Sequence, residues 1–268
     1  RPRAKDYDED VKQILTIAAQ IFRCHVSTIN AFPENSLEMQ WAHLAWGRAC
    51  RELGIQLAAS PSLTRIITAR TFQCRSELKS KIKSLVESSY GFSKTSAPEA
   101  ILQNRVRAEN LKFESAYVYE EPALGQRSHA ERKGIYRNPI IQKAVNAMWF
   151  VNKNDEGVVY RDFFEPFAIE ALAFVLTAIH CGIDEWGTGV RRDIQFTVKD
   201  YESIYETHLR NLDNFDNLCE DAHEVLLDLR KALHREARYS HTCLLWSTYT
   251  DTCIDSNLVP RMSMLTSG

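Results

Sequence analysis

The sequence predicts an all-α fold, a single multi-helix domain packed around one buried helix, Pro166 to Trp186. Three observations carry this prediction. Apolar residues recur at helical spacing along nearly the whole chain, and no series of alternating strand-like segments interrupts them. Helix-start and helix-stop residues fall at the ends of those periodic stretches. The run from Phe163 to Trp186 is apolar almost all round, as in a helix covered on every side.

Each element follows from local chemistry. Asp8 caps a first helix with the stripe Val11, Ile14, Leu15, Ala18, Ile21 and Phe22, broken by Phe32-Pro33. Ser36 is expected to cap a second, carrying Leu37, Trp41, Leu44 and Ala45 and stopped by Gly54. Ser60-Pro61 joins a cap to a proline at the first helical position, where its missing N–H costs nothing. Helix then runs to Tyr90 with one break near Thr71, and Gly91 closes it in a left-handed conformation. Ser96 to Lys112 reads as a further short helix.

Phe113 to Arg137 holds no sustained period and reads as a long surface loop, a length at which loops are often functional. Asn138-Pro139 restarts helix with Ile140, Ile141, Ala144, Val145, Met148 and Trp149 on one face; Asn154 to Gly157 is a turn. Pro166 is expected to start the central helix, and Gly187-Thr188-Gly189 to end it. Thr197 with Asp200 resembles a capping box before Val198, Tyr201, Ile204, Tyr205, Leu209, Leu212 and Phe215. A last stripe runs from Leu218 through Ala222, Val225, Leu226, Leu229 and Leu233 to about Arg238. The domain is therefore expected over 1–238, with 239–268 a partly disordered extension. Two helical lobes divided at the loop 113–137 are the alternative.

Composition narrows the function classes. Of 268 residues, 44% are hydrophobic and 25% charged, with 10 Gly and 8 Pro, which argues against a disordered or low-complexity chain. Net charge is −2, so nothing global demands nucleic acid or an anionic membrane, and no apolar run is long enough to span one. Seven cysteines, an odd number with no C-x-x-C pair, read as buried free thiols in a reducing, intracellular compartment. Arg1 in place of Met reads as a fragment or a processed chain.

Several segments together resemble a known family. They are Gly157-Val158-Val159-Tyr160 through Phe164-x-Pro166, Ala171 to Ile179, Ile183-x-Glu185-Trp186-x-x-Gly189, Phe196-Thr197 and Tyr201-x-x-x-Tyr205-x-x-His208-Leu209. Arg75-x-Glu77-x-Lys79, Tyr90-Gly91-Phe92, and Gly134-x-Tyr136 through Trp149-Phe150 look like it too. The family is a domain of unknown function abundant in mushroom-forming fungi. The resemblance covers roughly Asp6 to Arg230 and implies a helical domain, often within larger proteins. It carries no established activity, so no catalytic residue comes with it.

Three constellations are candidates for function. Arg65, Arg70, Arg75, Lys79, Lys81 and Lys83 form a basic run opposed only by Glu77, and Arg75, Lys79 and Lys83 recur every fourth residue. Such a stripe can neutralise duplex phosphates, and its reversal to glutamate is expected to leave the helix intact. Residues 1–143 hold 22 basic and 15 acidic side chains against 11 and 20 in 144–268, which favours a cationic face in the first half. The plain alternative is a solvated helix face whose charges meet the acidic second half.

The second constellation is His180 and Asp184, four residues apart on one helix face, with His208 on the next helix. A carboxylate-oriented imidazole can act as a general base, yet there is no H-E-x-x-H, cysteine pair or nucleophile elbow beside it. A buried, satisfied histidine explains it equally. The third is Tyr117, Tyr119 and Tyr136 around a loop with Arg127, His129, Arg132, Lys133 and Arg137. Basic and aromatic residues interleaved in this way can hold phosphates and stack bases. The competing reading is a loop pinned to the body by tyrosines.

These signals add up to a non-enzymatic helical binding module for protein or nucleic acid, in an intracellular setting and as part of a larger nuclear protein. No cofactor, metal or membrane is expected. The competing class is a hydrolase-like enzyme around His180, Asp184 and His208.

Overall fold

The computed structural model describes residues 3–125 and 131–253, the last stretch, 241–253, as helix backbone only. Helix α1 (Glu9–Thr28) opens at Asp8, whose carboxylate accepts the Val11 N–H at 2.9 Å, and the expected stripe is buried along its length. Helix α2 (Asn35–Leu53) packs mainly on α1 and on α3 (Pro61–Thr68), and ends at left-handed Gly54. Glu34, not Ser36, is its cap: Glu34 is the last extended residue, so Ser36 lies inside the first turn. Ser60 caps α3 as expected, accepting the Leu63 N–H. The break expected near Thr71 falls at Ala69, just before α4 (Arg70–Tyr90), and Gly91 closes α4 at φ 68°. Helix α5 (Pro98–Lys112) starts after Ala97, leaving Ser96 ahead of it.

Helix α6 (Pro139–Trp149) is capped by Asn138. The turn expected at Asn154 to Gly157 is present at Asn154 and Asp155 and runs into a short helix α7 (Glu156–Val159), which is followed by α8 (Arg161–Phe164). The central helix is α9 (Ile169–Asp184). Its start is later than the expected Pro166. Phe167 is drawn instead onto a later helix, its N–H donating to the Arg230 carbonyl and its carbonyl accepting from Arg230 Nε. Thr197 caps α10 (Val198–Asp216) by accepting the Asp200 N–H at 3.2 Å. The last helix, α11 (Glu220–Cys253), continues well past the expected end at Arg238. Among the described residues the β pairing is one isolated bridge, Glu121 with Lys133.

Helix α9 packs against α1, α4, α5, α6 and α10. Leu172, Phe174, Val175, Leu176 and Ile179 are all fully buried, so the expectation of a covered central helix holds. Each such side chain contributes about 1.5–3 kcal/mol by leaving water. Core residues before 113 and after 137 belong to one continuous cluster.

The segment 113–137 is not a surface loop throughout. It begins with a 3-10 turn over Phe113–Val118, and Ala116, Tyr117, Val118, Tyr119 and Tyr136 are buried. Tyr90 secures the turn by donating its hydroxyl hydrogen to the Tyr117 carbonyl at 3.0 Å. A second tie fixes the end of α9 to α5. Asn104 Nδ2 donates to the Gly189 carbonyl at 2.9 Å, and a Cβ on Gly189 would lie 2.1 Å from the Ile101 carbonyl oxygen. No helix of the described residues is long and apolar enough to cross a membrane.

Candidate functional site

The basic run of α3 and α4 does not form an open stripe. Arg75 is only 8% exposed; its guanidinium donates to the Ala31 carbonyl at 2.9 Å and lies over the Phe32 ring. Lys79 reaches Asp193 at 2.8 Å and Glu185 at 3.1 Å, and Lys83 lies 3.6 Å from the same Asp193. Lys81 donates to the Ala147 carbonyl at 2.6 Å and meets Glu77 at 3.1 Å. Arg65 is exposed, while Arg70 pairs with Gln73 next door on the helix. Two acidic residues after α9, Glu185 and Asp193, therefore close over the middle of the stripe. Glu185 is buried, which pushes its carboxyl above the usual range, and the Lys79 ammonium opposes this.

The interleaved loop is likewise folded inward. Arg132 donates to the carbonyls of Phe113 and Glu114 and lies over the rings of Phe113 and Tyr119. Lys133 is exposed and pairs with Glu121, and Arg137 is exposed. Arg127 and His129 lie outside the described residues.

The His180, Asp184 and His208 constellation does converge, through a residue the sequence grouped elsewhere. The Tyr117 hydroxyl lies 2.6 Å from His208 Nε2 and 3.4 Å from His180 Nδ1. His180 Nε2 is 3.6 Å from Asp184 Oδ2. Asp184 also accepts from Tyr201 at 3.1 Å and from the Lys112 ammonium at 2.7 Å. Helix spacing explains the assembly: His180 and Asp184 share a face of α9, α10 supplies Tyr201 and His208, and α5 ends at Lys112.

Burial sets the protonation of this chain. His208, 3% exposed, is pushed down to about 3, with the neighbouring His180 adding to the effect. Burial lowers His180 too, helped by Lys112 and opposed by Asp184. Burial also lifts the Tyr117 hydroxyl well above its usual range. Two neutral imidazoles therefore share one neutral hydroxyl. That hydroxyl can donate to one ring only, so the other ring must donate to it. Chemically the chain can hold or pass a proton between Asp184 at the surface and His208 in the core. The adjacent thiol, Cys181, is held by burial up to about 11 and is no ready nucleophile.

A family profile described as a domain of unknown function, DUF6532, matches residues 17–215, most of the chain. The chain belongs to the DUF6532 family. The DUF6532 match takes in α1 from Ile17 through α10 up to Phe215, hence the whole of the Tyr117 chain and the basic run. Helix α11 lies beyond it. No curated protein and no solved structure matches the chain.

The DUF6532 cluster also contains residues that the sequence did not join to it. Tyr117 lies in a stretch without period, and Lys112 and Tyr201 read as an ordinary helix end and a stripe position. The available signal was Tyr201 at the third position N-terminal to Ile204, facing the same side as Tyr205 and His208. Among the described residues no group of three His, Cys, Asp or Glu side chains is arranged to hold a metal.

Proposed function

We propose that this DUF6532 domain is a non-enzymatic helical module that binds a protein partner along the outer face of α5. The reading rests on one feature: α5 is apolar on two faces. Ala108 and Leu111 serve the core, whereas Leu102, 62% exposed, and Val106 point to solvent one turn apart. A surface helix ordinarily carries a single apolar stripe. Together with Leu124, the outer residues line a shallow groove of about 360 Å³ rimmed by Gln103, Arg107 and Asn110. An apolar patch with a polar rim suits the apolar face of a partner helix.

Protein is favoured over duplex nucleic acid because Arg75, Lys79 and Lys81 are already engaged within the fold. The nuclear setting belongs to the nucleic-acid reading. Buried free thiols at Cys24, Cys50, Cys74 and Cys181 support a reducing, intracellular setting. The enzyme reading is supported by the convergence of His180, Asp184 and His208. It is opposed by the burial of His208 and Tyr117, which places the inner half of that chain away from solvent.

The test is site-specific photocrosslinking from position 103 in cells of a mushroom-forming fungus, the lineage that the resemblance points to. A discrete protein adduct is expected, and it should vanish with Leu102→Asp and Val106→Asp while the melting temperature holds. Adducts that persist in the double variant would overturn the reading. So would tight binding of a labelled duplex with no protein adduct.

A further inference from the structure

We propose that the cavity between α8 and α11 binds a small phosphate-bearing molecule. The charge balance of the chain conceals this site. Residues 144–268 carry 11 basic and 20 acidic side chains, yet Lys231, Arg235 and Arg238 recur at helical spacing on one face of α11. Arg161, the first residue of α8, faces the same concavity. Four cations from two helices thus line a cavity of about 450 Å³, with Glu165 and His234 completing its wall.

His234 is the observation that points to a ligand. It is 3% exposed and lines the cavity, with its ring edge against Phe150. Its Nε2 is closed off from solvent and meets no hydrogen-bond partner among the described residues. Its Nδ1, 3.8 Å from Glu165 Oε1 in the cavity wall, is then the ring nitrogen that can meet a ligand, and a buried ring nitrogen is normally satisfied. Among the described residues Glu165 is the only acidic one in this wall, and Arg161 already pairs with it. Lys231 approaches Asp228, which lies outside the cavity, at 3.6 Å. The wall is cationic in sum, and arginine forks suit the oxygens of a phosphoryl group.

Shape argues for a small ligand over a polymer. Duplex phosphates are spread along a face, whereas these cations converge on one concavity of the size that small-molecule sites occupy. Tyr239, 65% exposed at the rim, presents a ring on which a base or sugar attached to the phosphate can stack. The site joins α8, inside the DUF6532 match, to the last helix, which lies beyond the end of the match at residue 215. It is independent of the α5 groove.

Isothermal titration calorimetry of the full chain at constant ionic strength tests the proposal, with inorganic pyrophosphate and a nucleoside diphosphate as probes. Saturable binding at one site per chain is expected for pyrophosphate. Arg235→Glu with Arg238→Glu should weaken it by about a hundredfold, since each removes a charge-assisted contact. His234→Leu fills the space without a donor and should weaken it about tenfold with little change in melting temperature. Tighter binding of the nucleoside diphosphate, reduced by Tyr239→Ala to the pyrophosphate level, would identify a nucleotide as the ligand. Equal affinity for the two would identify the phosphate alone. No saturable heat from either probe overturns the proposal, as does pyrophosphate binding indifferent to both the arginine pair and His234.

Discussion

The Tyr117 hydroxyl lies 2.6 Å from His208 Nε2, inside the core, and no charge is held there. Tyr117→Phe keeps the ring and deletes the one group shared by His208 and His180. A buried imidazole nitrogen then loses its partner, and the variant should be about 2 kcal/mol less stable at pH 7.5. Urea unfolding measures it. Wild-type stability in this variant would mean that the hydroxyl does not bridge the two rings.

The same cluster makes the fold acid-labile. His208 titrates near 3 when folded and at about 6.5 when unfolded. Between those values the unfolded chain binds a proton that the folded chain refuses. Stability is therefore full above pH 6.5 and falls as the pH drops from there toward 3, by about 1.4 kcal/mol per pH unit for this one group. His180, His25 and His234 are also lowered by burial and act in the same direction. Denaturation of His208→Leu at several pH values should give a slope between pH 6.5 and 5 that is shallower by one proton. Parallel slopes would contradict the assignment.

Charge reversal along α4 should separate two side chains that the sequence treated alike. Arg75→Glu places a carboxylate against the Ala31 carbonyl and the Phe32 ring, and should cost more than about 3 kcal/mol. Lys83→Glu, at a half-exposed position 3.6 Å from Asp193, should cost less than about 1 kcal/mol. Thermal melts of the two single variants decide this, and equal effects would refute the burial of Arg75.

Gly189→Ala should be among the most damaging single-methyl changes. Its φ is +83°, and the added carbon would sit 2.1 Å from the Ile101 carbonyl oxygen, which cannot move without shifting α5. Strain and overpacking together should cost about 3 kcal/mol. Gly187→Ala, whose nearest contact would be the Asp184 carbonyl at 3.3 Å, should cost under about 1 kcal/mol. Chemical denaturation of both variants provides the comparison.

Much of the fold was legible because helix caps and apolar stripes are local. Asp8, Ser60 and Thr197 cap the helices they were expected to cap, helix restarts at Asn138-Pro139 as expected, and Gly54 and Gly91 close theirs. Local rules failed where a distant partner intervened. Pro166 does not open α9 because Arg230, far along the chain, holds Phe167 by two hydrogen bonds. The stretch around Tyr117 lacks a period because its burial depends on Tyr90 and His208 rather than on its own repeat.

Of the candidate site, the sequence by itself determined that His180 and Asp184 share a face and that His208 stands on the neighbouring helix. It also determined that Arg75, Lys79 and Lys83 align, since i, i+4 geometry follows from the helix alone. Only the tertiary structure decided what those alignments meet. Asp193 and Glu185 arrive from beyond α9 to neutralise the lysines, Tyr117 enters between the two imidazoles, and Arg161 joins the α11 cations around His234. The physical reason is one of range. Backbone hydrogen bonding and side-chain periodicity act within a few residues, whereas burial and charge pairing depend on which surfaces the whole chain brings together.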